Sequence, residues 1–302
     1  MGLCFSTALC IIMEIKKAKN SLIITSKQFS ADKILNSGQV FRFKPYGNGY
    51  ILNSGGELAT LKTFGDRTEI TCTNQDYFYR YFDLDTDYDK IIDDLSVFPA
   101  LKCAVDYGKG IRILKQDIFE TIISFIISAN NNIKRISKII DNICIGLGEK
   151  KVFNDITYYA FPTVTSFAAA GEQFFKSAGA GYRAAYIYKT ANAIANGFDI
   201  NCLKAQDSKT AEEKLLQLYG IGKKVCDCIL LFAYERQDVF PVDTWIEKVY
   251  YDCFSLNKTK INRQNISKYF VDKFGGLSGY VQQYLFYFKR SFKGDINYEV
   301  IP

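Results

Sequence analysis

The periodicity of the chain changes once, near residue 76, and that change limits the fold more than any single motif does. Between residues 20 and 75, short apolar and β-branched stretches ("SLIIT", "QVFRF", "YILN", "LATLKT", "TEITCT") are separated by "YGNG", "SGG" and "FGDR". Such runs, broken by Gly-, Asn- and Asp-bearing turns, predict antiparallel strands joined by hairpins. A short helical piece, "ADKILN", interrupts the first part. From "DYFYRYFDLDTDYDKIIDDLSVF" onward apolar residues recur at i, i+3 and i+4, the period of a helix. "DYGKGIRILKQD" reads as a connector, and almost everything beyond it reads helical, broken at "GLGEKK", "FPTV", "AGAGYR", "YGIG", "FPVD" and "FGGLSG". Thr121–Ala129 is nearly continuous in apolar residues and is predicted to be a buried helix. The fold class is therefore α+β, with an antiparallel β domain at 21–108 and an all-helical region at 109–302.

Residues 1–20, "MGLCFSTALCIIMEIKKAKN", carry a short apolar run with lysines after it rather than before it. That fits an N-terminal extension, with an alternative start at Met13, better than a signal peptide. No run reaches the ~18 apolar residues that span a bilayer, so no membrane partner is expected. The net charge of +6 permits a polyanionic partner without demanding one. The chain has no histidine, which excludes a Ser-His-Asp triad, a Cys-His dyad and any His-ligated metal. Proton transfer must fall to Asp, Glu, Lys, Tyr or Cys. The nine cysteines, at 4, 10, 72, 103, 144, 202, 226, 228 and 253, are odd in number and include no CxxC pair. Reduced cytoplasmic thiols fit this pattern better than a disulfide scaffold or a zinc ribbon. No metal or other cofactor is expected.

The stretch "LYGIGKKVCDCIL", residues 218–230, joins two helical patterns. Before it, "KTAEEKLLQLY" predicts a helix to about Tyr219, with Thr210 and Glu213 spaced as a capping box. After it, "KKVCDCILLFAY" starts a second helix, so residues 210–234 form a helix-hairpin-helix. Gly220 and Gly222 permit the turn, and the free amides at the start of the second helix suit a phosphate. Such a hairpin grips a nucleic-acid backbone without reading bases. A purely structural hairpin also needs a glycine, but the full LxGxGxKxxxxI pattern favours DNA.

Lys223 and Lys224 then fall in the first helical turn. Lys223 can be spent on solvent or phosphate. For Lys224, the positive end of the helix dipole and apolar neighbours such as Val225 and Ile229 favour the neutral amine, which is a nucleophile. "DVFPVDTWIEKVYY" supplies a carboxylate: Pro241 forces an extended approach, and Asp243 precedes an amphipathic helix. Asp is a favoured N-cap, and a capping carboxylate is a rigidly held one.

GIGKK with Lys224 and PVD with Asp243 resemble the helix-hairpin-helix–Gly/Pro/Asp superfamily of DNA glycosylases. Further segments narrow the resemblance to its 8-oxoguanine DNA glycosylase/AP lyase branch, from about residue 22 to 292. It implies a TATA-binding-protein-like β domain followed by two helical subdomains. The implied partner is double-stranded DNA containing oxidised guanine, whose base is flipped into a cleft. It implies Lys224 and Asp243 as the catalytic pair, acting through a lysine Schiff base and β-elimination. In "SGQVFRF", Gly38 would offer its carbonyl to the N7–H that only the oxidised purine carries, since unmodified guanine has an acceptor there. In "VQQYLFYF", Gln282 would read the Watson–Crick edge and Phe286 would stack on the base, with Cys228 on its other face. In "SANNNIKRI", Asn130 would fill the hole left in the duplex and Arg135 would contact the estranged cytosine. Tyr182 and Arg183 of "GAGYRAAY" would wedge and contact the same cytosine.

Two positions depart from the family pattern. Trp245 stands where animal relatives carry a histidine, and Lys289 where its acidic partner is expected. No four-cysteine cluster follows Asp243, only Cys253, so the iron–sulfur cluster of endonuclease III relatives is not expected. A monomer is expected, cytoplasmic at a bacterial nucleoid or nuclear in a eukaryote. The alternatives are a glycosylase of the same fold for another lesion, and a DNA-binding protein that uses the hairpin only for grip.

Overall fold

The structure, a computed structural model, describes residues 13–255 and 260–292. Six strands form one antiparallel sheet: β1 (Glu14–Ala18), β2 (Ser21–Thr25), β3 (Phe43–Tyr46), β4 (Gly49–Ser54), β5 (Glu57–Phe64) and β6 (Arg67–Cys72), in the order β1-β2-β6-β5-β4-β3. The register sets Leu22 and Leu61 on either side of Ile70. All three lie on the buried face, as alternation requires. Helices α1 (Ala31–Asn36) and α2 (Gln75–Tyr81) cover that face with Ile34, Leu35, Phe78 and Tyr81. Strand β1 lies before residue 21, so the sheet begins inside the segment read as an extension. Met13 packs on the same core, and residues 1–12 fall outside the described residues.

Helices α3 (Tyr88–Ser96) and α4 (Lys102–Gly108) precede residue 109 but pack into the helical core. The rest of that core comes from α5 (Ile118–Ser128), α6 (Ile133–Leu147), α7 (Val164–Ser177), α8 (Arg183–Ala195), α9 (Ser208–Leu215), α10 (Lys223–Phe232), α11 (Thr244–Val249), α12 (Arg263–Phe274) and α13 (Ser278–Ser291). Helix α5 is buried along almost all of its length, as its apolar run predicts.

The region from 109 onward is not all helical. Strands β7 (Lys150–Phe153) and β8 (Ile156–Tyr159) form a hairpin whose Tyr158 packs against Ile51 and Leu58 of the large sheet. Asn154 and Asp155 turn it with φ of 46° and 60°, the backbone that a two-residue hairpin turn demands.

The β domain and the helical region are pinned together by a buried ion pair. Arg42 Nη1 lies 3.2 Å from Glu120 Oε2 on α5. The same carboxylate oxygen accepts the Gly55 amide at 2.6 Å, and Arg42 Nη2 donates to the Tyr159 carbonyl at 2.6 Å. Burial pushes the Glu120 carboxyl up, with Arg42 opposing.

Candidate active site

The hairpin forms as its glycines require, with one change at its start. Asp207, not Thr210, caps α9, accepting the Thr210 amide at 2.9 Å. A carboxylate also suits the positive end of a helix. The helix ends at Leu215 rather than Tyr219. Gly220 takes φ +80°, and a Cβ there would lie 2.8 Å from that of Tyr186, so only glycine fits. Gly222 is the N-cap of α10, with no side-chain cap and open space where a Cβ would be.

The two lysines have different fates. Lys223 is not left to solvent or phosphate. Its Nζ lies 2.8 Å from Glu212 of α9 and 2.8 Å from Asp227, one turn further along α10. Asp227 is 1% exposed; burial pushes its carboxyl up to about 6, with Lys223 pulling the other way. Burial works against the Lys223 charge, but Asp227 and Glu212 outweigh it and hold its pKa above the ordinary value. Lys224 makes no ion pair among the described residues and lies 5.3 Å from the centre of the Phe125 ring.

Asp243 both caps α11 and faces Lys224 across a pocket. Its Oδ1 takes two amides, Trp245 and Ile246, each at 2.9 Å. Oδ2 has no hydrogen bond among the described residues, so the cap fixes the carboxylate while one oxygen stays available. The pocket is lined by Gly38, Phe125, Lys224, Cys228, Phe232, Pro241, Asp243, Gln282, Gln283 and Phe286. Every residue proposed for catalysis or base recognition is thus in one cavity.

Gly38, at φ +84°, could not carry a side chain: a Cβ would lie 2.8 Å from Phe286 Cε1. Gln282 is buried, with Nε2 donating to the Pro241 carbonyl at 3.3 Å. Its Oε1 is buried without a partner among the described residues. A buried acceptor without a donor costs about 1–3 kcal/mol, a cost that a bound base edge would remove. Burial pushes the Cys228 thiol up to about 11, with Lys224 opposing. Cys228 is therefore an uncharged wall rather than a thiolate.

The pocket opens into a larger groove that shares Gly38, Phe125, Lys224, Asp243 and Phe286, and continues along Asn130, Trp245, Arg263 and Arg290. Asn130 sits at φ +49°. Arg183 is 3% exposed and donates to the carbonyls of Ala129 (Nε, 2.8 Å) and Asn130 (Nη2, 2.7 Å). In this structure it braces the Asn130 turn. Tyr182, 57% exposed, stacks under that guanidinium at 4.4 Å. Arg135 reaches the Gly179 carbonyl at 3.5 Å, in the loop that leads to Tyr182 and Arg183. The four residues expected at the wedge do converge. Lys289 pairs with Asp252 at 2.8 Å, and Lys248 lies 5.4 Å from the Trp245 ring.

Residues 21–122 match the family of 8-oxoguanine DNA glycosylase N-terminal domains, and residues 123–273 match the HhH-GPD superfamily of base excision DNA repair proteins. The chain belongs to the 8-oxoguanine DNA glycosylase family. A Clostridium acetobutylicum 8-oxoguanine glycosylase/lyase, solved with double-stranded DNA containing cytosine opposite 8-oxoG, is 38% identical over 92% of this chain and 97% of its own, with a TM-score of 0.86. A probable N-glycosylase/DNA lyase of Methanothermobacter thermautotrophicus is 29% identical, covering 90% of this chain and 86% of its own. The N-glycosylase/DNA lyase of Saccharomyces cerevisiae is also 29% identical, over 71% and 67%. The N-terminal family domain ends inside α5, the helix whose Glu120 joins the two regions.

Sequence reasoning missed Phe125, Phe232 and Arg290. Phe125 stacks on Phe232 at 5.5 Å and forms the apolar floor under Lys224. Both phenylalanines lie in apolar helices, where nothing separates a pocket residue from a core residue. Arg290 was one of several basic residues near the end of the chain.

Proposed function

We propose that this chain excises 8-oxoguanine from duplex DNA and then cuts the strand, with Lys224 as nucleophile and Asp243 as the carboxylate that serves it. What carries this is the shared cavity: an amine without an ion pair, a carboxylate held by one oxygen and a buried amide without a full set of partners. The flipped base lies between Phe286 and Cys228, with Gln282 at its Watson–Crick edge and the Gly38 carbonyl at N7–H. Unmodified guanine meets that carbonyl with a lone pair and is rejected.

Asp243 helps Lys224 shed its proton, which passes on to the departing base, and as a carboxylate it stabilises positive charge developing on the sugar. The amine attacks C1′, the glycosidic bond breaks and the base leaves with the bonding electrons. Ring opening gives a Schiff base on Lys224. Loss of a C2′ proton then expels the 3′ phosphate. Asn130 and Tyr182 occupy the vacated place in the duplex, while Arg135 and Arg183 serve the estranged cytosine. The protein acts as a monomer without an iron–sulfur cluster.

Borohydride added during turnover on an 8-oxoguanine duplex should trap a covalent protein–DNA adduct. Lys224→Gln should abolish the adduct, and Asp243→Asn should lose turnover while duplex binding survives. Full activity in Lys224→Gln, or an untrappable reaction, would reject the scheme. The same assay with each of the four bases opposite the lesion tests the cytosine preference.

A further inference from the structure

Two guanidinia line the groove outside the pocket: Arg263 pairs with Glu247 at 2.8 Å, and Arg290 is left unused by catalysis and base recognition. Arg290 lies in the last turn of α13, four residues after Phe286. Its guanidinium sits 5.1 Å from the centre of the Phe286 ring. One amino group donates to the Asn36 carbonyl, just before the Gly38 turn. A Cβ on Gly38 would lie 2.6 Å from the other, Nη1. The group is half-buried and makes no ion pair among the described residues. Its neighbour Lys289 points elsewhere, to Asp252. In the groove Arg290 stands beside Asp243, Trp245 and Phe286, at the mouth through which a flipped nucleotide must pass.

A partly desolvated cation that makes no ion pair is costly even with the Asp243 carboxylate in the same groove, and in a groove built for DNA the further available anion is a phosphodiester. Arg presents a planar fork suited to phosphate oxygens. We infer that Arg290 binds a backbone phosphate flanking the flipped nucleotide and so clamps the strand at the pocket mouth. Because the same guanidinium lies on Phe286 and is tied to the turn that carries Gly38, strand capture also steadies two walls of the pocket. This inference rests on the reading of the protein as a base-flipping glycosylase.

The test is single-turnover excision on a lesion duplex in which each flanking phosphate is replaced, one at a time, by a neutral methylphosphonate. In the wild type, one position should raise the half-saturating enzyme concentration about 10-fold or more, the scale of a charge-assisted hydrogen bond. Arg290→Gln should show a similar rise on unmodified DNA, a maximal rate changed by less than about 3-fold, and a log–log salt slope smaller by about 0.9. At the sensitive position, neutralisation should cost Arg290→Gln nothing more, whereas Arg290→Lys, which keeps a cation, should remain sensitive. If the two penalties instead multiply at every position, or the variant loses maximal rate at unchanged half-saturation, Arg290 only supports Phe286 and the inference fails. Arg290→Lys carries the same comparison should the glutamine variant not fold. A wild type that excises nothing from unmodified lesion duplex would overturn the functional reading itself.

Discussion

Replacing Lys223 by methionine should separate the two adjacent lysines more clearly than any other change. The variant keeps most of the aliphatic stem but leaves Asp227 buried opposite Glu212 with no cation between them. The size of the effect follows from Asp227. Its carboxyl moves from the ordinary 3.8 to about 6 with Lys223 in place, which at 1.36 kcal/mol per unit is about 3 kcal/mol of residual burial cost. Removing the cation adds to that cost. Loss of one member of a buried pair typically destabilises by about 3–5 kcal/mol, and the partial exposure of Lys223 argues for the lower end, about 3 kcal/mol at pH 8. The folded-state pKa of Asp227 lies above its unfolded value. The folded protein therefore holds this proton more tightly, and the contribution is complete below about pH 4 and lost as pH rises through about 6. In the variant the loss continues above pH 6. At pH 5 Asp227 is largely neutral in both proteins, so the difference should shrink to about 1 kcal/mol. Urea unfolding followed by Trp245, the single tryptophan, measures this at both pH values. Adding Asp227→Asn to the methionine variant should restore most of the lost stability. Borohydride trapping by the folded variant should persist, because Lys224 is untouched. A loss below about 1 kcal/mol at pH 8, an equal loss at pH 5, or absent trapping in folded protein would refute the assignment.

Three further outcomes follow from the pocket. Gly38→Ala combines a left-handed backbone, costing about 1–2 kcal/mol, with a clash against Arg290 and Phe286, and should lower kcat/KM on the lesion at least 10-fold. Gln282→Leu removes a buried acceptor that has no partner together with a long hydrogen bond to the Pro241 carbonyl, two effects of opposite sign, so the melting temperature should change little while excision falls about 10-fold or more; a melt lowered by several degrees would contradict this. Cys228, buried and with its thiol near 11, should alkylate with iodoacetamide far more slowly at pH 8 than the exposed Cys103 and Cys202, as site-resolved mass spectrometry would record.

Gly220, Lys224 and Asp243 could be picked out because each obeys a local constraint that writes itself into the sequence: Gly220 permits a turn, Lys224 follows the hairpin, and Asp243 caps a helix after a proline. Gly38, Cys228, Gln282 and Phe286 were reached only through the family resemblance. What stayed hidden depends on contacts distant in sequence. The Lys223–Asp227 spacing is visible as i, i+4, but Glu212 joins only once α9 folds back on α10. Arg183 looks like a solvated loop charge until its burial against Ala129 and Asn130 is seen. The β7–β8 hairpin was legible in "KVFNDITYY", where Asn-Asp separates two short β-rich runs, but helical signals on both sides outweighed it.

The Arg42–Glu120 bridge has a consequence for accuracy. Gly38 belongs to the β domain, whereas Lys224, Asp243, Gln282 and Phe286 belong to helices. In the proposed scheme, the feature that tells an oxidised purine from a normal one is thus mounted on one half of the molecule, and the machinery that cuts is mounted on the other. Arg42 lies four residues past Gly38, and Glu120 lies on the same helix as Phe125. The bridge works like the alignment pin of a two-part gauge. Loosening it should erode the choice of base before it slows the blade, turning a careful enzyme into one that nicks undamaged DNA.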